Sequence, residues 1–189
     1  MSLMTSQANR PELSNGNESK LKLVFPEKEI RKMVKRLAKQ ISKDYEGKEI
    51  FLVSVMKGSM MFLMDLVREI TVPLTYDFIA ISSYGAATKS SGVVRIMKDL
   101  DLPVESQHVL IVEDIIDSGL TLHYIVNNLR TRNIASLKIC TLLDRPYRRE
   151  VDVEVHYNGF ECSDGFVVGY GLDINQKYRN LKDIYSIET

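Results

Sequence analysis

Three apolar runs constrain this chain more than anything else in it. Residues 50–56, 109–112 and 137–143 are dominated by Ile, Leu, Val, Phe and Met, with few polar interruptions. A strand with one wet face alternates apolar and polar residues. A near-continuous run instead reads as a strand buried on both faces, the habit of parallel sheets covered by helices. Between these runs, apolar residues recur at helical spacing: Ile30, Met33, Val34, Leu37 and Ile41; then Met60, Leu63, Met64 and Val67; then Leu122, Ile125, Val126 and Leu129. Strands alternating with helices predict an α/β fold, a mostly parallel central sheet flanked by helices. Further strands are expected at 20–25, 74–81, 93–97 and 166–168. Another is expected over 151–157, where Val151, Val153, Val155 and Tyr157 alternate with Asp152, Glu154 and His156. Residues 1–19 are polar and read as a disordered tail, leaving 20–189 as one domain.

Charge and cysteine use exclude several classes. Lys plus Arg number 25 and Asp plus Glu number 25, so the net charge is zero. That argues against nucleic-acid binding or a membrane-surface role driven by overall basicity. The cations at 31–39 are diluted by Glu27 and Glu29 and read as a solvated helix face. Two cysteines, Cys140 and Cys162, with no CxxC spacing, point to a reduced compartment rather than a disulfide framework or a zinc site. No stretch is long and apolar enough to span a membrane, and the first residues lack a signal-peptide core, so the expected location is cytoplasmic.

The chemistry is concentrated in residues 109–121, Val-Leu-Ile-Val-Glu-Asp-Ile-Ile-Asp-Ser-Gly-Leu-Thr. A buried strand leads into Glu113 and Asp114, then Asp117, then a small turn entering a helix. Ligands of open α/β sheets bind at the carboxyl ends of strands. Unpaired N–H groups at a helix N-terminus cradle phosphate, with Ser118 and Thr121 as added donors and Gly119 permitting close approach. Glu113 and Asp114 suit a ribose diol or a hydrated Mg²⁺. Together these describe a ribose-5-phosphate site, with Asp117 near the anomeric carbon. No GxxxxGK[ST] or GxGxxG motif competes with it. The loop 82–92, small and polar, is long enough to act as a lid.

The whole segment resembles the phosphoribosyl-pyrophosphate (PRPP) motif of type I phosphoribosyltransferases, in the version of the hypoxanthine-guanine enzymes. Met56-Lys57-Gly58-Ser59 resembles the family's pyrophosphate loop. Ser83-Tyr84-Gly85 resembles the start of its flexible catalytic loop. Residues 159–181 resemble its purine-binding tail. The resemblance implies a small hood built from about 20–25 and 155–189. It implies a Mg²⁺-dependent transfer of phosphoribosyl from PRPP to a 6-oxopurine, with Asp117 as general base at purine N7. Glu113, Asp114 and residues 117–121 (Asp117, Ser118, Gly119, Leu120 and Thr121) would hold the ribose phosphate. Lys57, Gly58 and Arg179 would hold pyrophosphate, Glu113 and Asp114 a Mg²⁺, and Asp173 would help hold a second Mg²⁺. Arg145, Phe166, Val167 and Asp173 would form the purine side, and Ser83 and Tyr84 the lid. Arg145 stands where the family usually has lysine. A homodimer or homotetramer is implied. Two alternatives stay open: a xanthine-preferring enzyme, prompted by Arg145, and an RNA-binding regulator that senses PRPP or nucleotide, prompted by the basic helix.

Overall fold

The computed structural model describes residues 20–83, 94–163 and 165–188. The 1–19 tail, Tyr84 and most of the expected lid lie outside the described residues. In chain order the elements are β1 (Lys20–Phe25), α1 (Glu27–Asp44), β2 (Ile50–Met56), α2 (Met60–Glu69), β3 (Leu74–Ser83), β4 (Val94–Lys98) and β5 (His108–Ile116). There follow α3 (Leu120–Arg130), β6 (Ser136–Asp144), a short 3₁₀ turn (Pro146–Arg148), β7 (Tyr157–Glu161), β8 (Phe166–Val168) and β9 (Ile184–Glu188).

The large sheet has the order β4-β3-β2-β5-β6-β7. Every neighbouring pair is parallel except β3 with β4. The three apolar runs become β2, β5 and β6, adjacent at the centre. Alternate residues of each run enter different cores. Leu52, Leu110, Val112 and Leu142 pack under α1 and α2 against Leu37, Ile41, Phe62 and Leu66. Phe51, Val53, Ile111 and Ile139 pack on the other side under α3, against Leu122, Ile125 and Leu129. Both faces are covered, so both positions of the alternation are mostly apolar; the buried hydroxyls of Ser54 and Thr141 are accepted there because each has a hydrogen-bond partner. Asp77 on β3 is a buried exception, accepting N–H bonds from Phe78 (2.6 Å), Asp101 (2.6 Å) and Leu102 (3.1 Å). Lys98 Nζ lies 3.6 Å from it.

Four expectations need correction. First, the strand expected over 151–157 is β7 at Tyr157–Glu161, and 151–156 forms no ladder. The alternation there is real as burial: Val153 and Val155 cover the α3-side core while Asp152 and Glu154 face solvent. Second, the strand at 109–112 does not stop at the carboxylates. β5 continues through Glu113 and Asp114 because Glu113, Ile115 and Ile116 still pair with Thr141, Leu143 and Asp144. Third, no strand is expected beyond 166–168, yet β9 is the middle strand of a second, antiparallel sheet of order β1-β9-β8. Of residues 155–189, then, β7 belongs to the large sheet and only β8 and β9 join β1. Fourth, the basic face of α1 is not wholly solvated. Arg36 Nη2 donates to the carbonyls of Asn158 (2.8 Å) and Gly159 (3.0 Å) on β7.

Candidate active site

Parallel pairing puts the carboxyl ends of β2, β5 and β6 on one edge of the sheet. The segments that leave those ends carry Lys57-Gly58, residues 117–121 and Arg145, which is why residues far apart in sequence meet. The Met56–Lys57 peptide is cis. Behind it, Ser59 Oγ donates to the Val55 carbonyl (2.5 Å) and lies 2.6 Å from Ser54 Oγ. These two buried hydroxyls fasten the loop from below; Ser59 belongs to the loop singled out in the sequence, but neither hydroxyl was given a role there.

Gly58 is sandwiched. A Cβ there would lie 1.5 Å from Asp114 Oδ2, and a Cβ on Gly171 would lie 2.1 Å from the Gly58 carbonyl oxygen. The loop at Lys57-Gly58, the Asp114 side chain near the end of β5 and the loop after β8 therefore interlock at close contact. Arg179 closes this side: Nη1 donates to the Gly171 carbonyl (2.6 Å) and Nη2 lies 2.6 Å from Asp173 Oδ1. Asp173 Oδ2 also accepts the Gln176 N–H at 2.8 Å.

Glu113 and Asp114 carry strongly perturbed charge. Burial, and then the neighbouring Asp114, push the Glu113 carboxyl well above its ordinary value, and its Oε2 is buried with no hydrogen-bond partner. Burial pushes Asp114 up to about 6, against the restraint of the Ile115 N–H and of Arg179. Such carboxylates lack compensating positive charge. No three His, Cys, Asp or Glu side chains among the described residues converge into a ready cage. A buried, underpartnered carboxylate pair fits Mg²⁺, which takes one or two carboxylates and fills its octahedron with water and substrate phosphate.

On the other side of β5, Asp117 is flanked by cations. Arg145 Nη1 lies 3.2 Å from Oδ1, and Arg148 Nη1 lies 3.6 Å from Oδ2. Arg145 is buried and uses its whole fork: Nη2 donates to the Gly165 carbonyl (2.6 Å) and Nε to Cys162 Sγ (3.2 Å). A lysine could not make all three contacts. Next to Gly165, Phe166 is 67% exposed, an aromatic face left open to solvent, with Val167 half-buried beside it. Gly119 caps α3 at φ 81°, the left-handed region, and a Cβ there would press on Val153 at 3.0 Å. The first helical bond is His123 N–H to Gly119 O, so the amides of 120–122 have no partner within the helix. Ser118 Oγ lies 3.4 Å from the Leu120 nitrogen.

The structure thus brings Gly58, Asp114, Asp173 and Arg179 into one group and Asp117 and Arg145 into another, with Glu113 buried next to Asp114 on β5. Lys57 is exposed beside Gly58. Of the expected lid, Ser83 ends β3 and Tyr84 lies outside the described residues. Arg149 was not singled out in the sequence, although its side chain reaches the carbonyls of Ile116 and Asp117. A groove of about 700 Å³ between α1, α2 and residues 170–182 shares only Arg179 with this site.

Comparison with known proteins defines the class. Residues 24–175 match the phosphoribosyl transferase domain model. The chain belongs to the phosphoribosyltransferase family. Within that family it is similar to the hypoxanthine-guanine phosphoribosyltransferase of Bacillus subtilis, 48% identical over 160 residues that cover 85% of this chain and 89% of that one. The enzyme of the same name from Mycobacterium tuberculosis is 46% identical over 166 residues, covering 85% and 82%. A crystal structure of a hypoxanthine phosphoribosyltransferase from Staphylococcus aureus superimposes with a TM-score of 0.85 at 44% identity, covering 88% of this chain and 91% of that one. Among the described residues no helix is long and apolar enough to cross a membrane.

Proposed function

We propose that this enzyme transfers phosphoribosyl from PRPP to hypoxanthine, and to guanine, releasing pyrophosphate and giving IMP or GMP. The observation that carries the base assignment is the Arg145–Asp117 pair, with Nη1 3.2 Å from Oδ1. A 6-oxopurine presents N7–H beside a carbonyl oxygen. Asp117 accepts the N7 proton as the glycosidic bond forms, and Arg145 donates to the 6-oxo oxygen. Phe166 stacks on the ring and the Val167 backbone meets its edge. Residues 117–121 bind the 5-phosphate through backbone N–H groups, and Glu113 and Asp114 hold the ribose hydroxyls. Lys57, the Gly58 amide and Arg179 receive the pyrophosphate. Mg²⁺, one ion at Glu113 and Asp114 and a second that Asp173 helps to hold, would supply charge neutralisation for the leaving group. Water exclusion by Ser83, Tyr84 and the loop they begin would protect an oxocarbenium-like transition state from hydrolysis. The active form is a homodimer or homotetramer, which light scattering would check.

A pyrophosphate-release assay with PRPP, Mg²⁺ and a panel of hypoxanthine, guanine, xanthine and adenine tests the assignment. Turnover with hypoxanthine and guanine is expected, and a clear preference for xanthine overturns it. Asp117→Asn should lower kcat by about 10²–10⁴-fold, the span of general-base assistance. PRPP binding should survive, and turnover equal to the unaltered enzyme would remove the role of Asp117.

A further inference from the structure

Arg149 has no role in the site described above, yet it is firmly engaged. Arg149 follows the 3₁₀ turn after β6 and is mostly buried, with its side chain 16% exposed. Its Nη2 is paired with the buried carboxylate of Asp144. Its Nη1 donates to two successive backbone carbonyls at the end of β5, Ile116 O (2.8 Å) and Asp117 O (2.6 Å). The next carbonyl, Ser118 O, accepts the N–H groups of Glu150 (2.9 Å) and Val151 (3.4 Å). Three consecutive carbonyls are therefore engaged by residues 149–151, and that of Ile116 also accepts the Arg145 N–H at 3.1 Å.

A trans peptide places its N–H opposite its C=O. With the carbonyls of 116, 117 and 118 turned toward Arg149, the amides of 117, 118 and 119 must face away from it. That is the orientation an anion-binding turn needs, since clustered N–H groups converge only when their carbonyls are held elsewhere. Left alone, such a turn is a short loop with several competing conformations. Asp144 fixes the guanidinium, the guanidinium fixes the carbonyls, and the carbonyls fix the amides.

We propose that Arg149 is a positioning residue that pre-orients the amides of residues 117–119 for a phosphate monoester. This rests on the reading of 117–121 as the 5-phosphate turn. A planar fork is required: it meets Asp144 with one nitrogen and both carbonyls with the other, whereas an ammonium is a single point.

The test uses the full chain, unaltered and as Arg149→Lys and Asp144→Asn, with calorimetric binding of GMP and guanosine alongside kinetics with PRPP and hypoxanthine. Arg149→Lys is expected to weaken GMP binding and raise KM for PRPP about tenfold, the size of one lost charge-assisted hydrogen bond, while guanosine affinity and KM for hypoxanthine stay within about twofold. Asp144→Asn should shift GMP and PRPP in the same direction by less. An unaltered enzyme that does not prefer GMP to guanosine refutes the phosphate turn itself. An unaltered enzyme with that preference, and variants that keep it in full, refute the role of Arg149. Equal loss of GMP and guanosine in Arg149→Lys shows a merely structural residue and also refutes it. If Arg149→Lys does not fold, Asp144→Asn decides alone, and an undiminished preference for GMP overturns the proposal.

Discussion

Gly58→Ala is the smallest change that should disable the site without touching a polar group. The added methyl would sit 1.5 Å from Asp114 Oδ2 and 2.5 Å from its Cγ. Ordinary contact begins near 3.5 Å, so the carboxylate or the loop must retreat by about 2 Å. Neither has room. Asp114 is held by the Ile115 N–H at 2.9 Å, and the Gly58 carbonyl already faces Gly171. Misplacing a reacting group by ~1 Å can cost about 10²-fold, so kcat/KM for PRPP should fall at least that far. Overpacking should cost about 1–3 kcal/mol, a loss of roughly 3–10 °C in Tm. Steady-state pyrophosphate release and a thermal melt measure both. A double-mutant cycle makes the reasoning strict. On an Asp114→Ala background the obstructing carboxylate is gone, so Gly58→Ala should cost little further activity. A folded Gly58→Ala enzyme with unimpaired PRPP kinetics, or a cycle in which the two losses simply multiply, would refute the steric account.

Two other expectations are independent of it. Phe166→Ala should leave the melt of the free enzyme nearly unchanged, because the ring is 67% exposed. It should raise KM for hypoxanthine about tenfold through lost stacking, and an unchanged KM would remove Phe166 from the base site. Burial alone would raise the Asp77 pKa, but the N–H groups of Phe78, Leu102 and Asp101, with Lys98, hold it below the usual carboxylate value. Its stabilising contribution is therefore present above the ordinary carboxylate range and lost as pH falls through the lowered value. Asp77→Asn should lower stability at pH 7 by about 1–3 kcal/mol, since its amide opposes buried N–H donors. The gap in Tm should narrow on acidification, and a gap constant from pH 7 to pH 3 would contradict this.

How far the sequence could be read depended on where each signal resides. β2, β5 and β6 were legible because burial on both faces removes polar residues from the chain itself. Glu113, Asp114 and Asp117 were legible because their spacing is set within one strand and one turn. Residues 151–155 misled because period-two burial needs only one apolar surface, here the α3-side core, and no hydrogen-bonded neighbour. β9 gave little signal: it is short, Ser186 and Glu188 interrupt Ile184, Tyr185 and Ile187, and one of its two partners, β1, lies near the other end of the sequence. The Gly58–Asp114–Gly171 contact and the Arg149 bonds exist only between segments brought together by the sheet, so no local pattern encodes them.

The pairing of β1 with β9 carries a consequence for the order of assembly. Leu21 lies opposite Ile187, and Glu27 N–H reaches Asp183 Oδ1 at 2.7 Å, so the small sheet closes a loop that contains the large one. Contacts so distant in sequence form late, because chain entropy must be lost before they stabilise anything. The large sheet is stitched together from nearer neighbours and should acquire hydrogen-exchange protection first. Phe166 and Val167 sit on β8, whose ladder partner is β9. The β8 residues proposed to meet the purine should therefore be the last part to order on refolding and the first to open when the native enzyme fluctuates. A chain caught between those two stages would already hold the turn for the sugar phosphate and would have no settled place for the base.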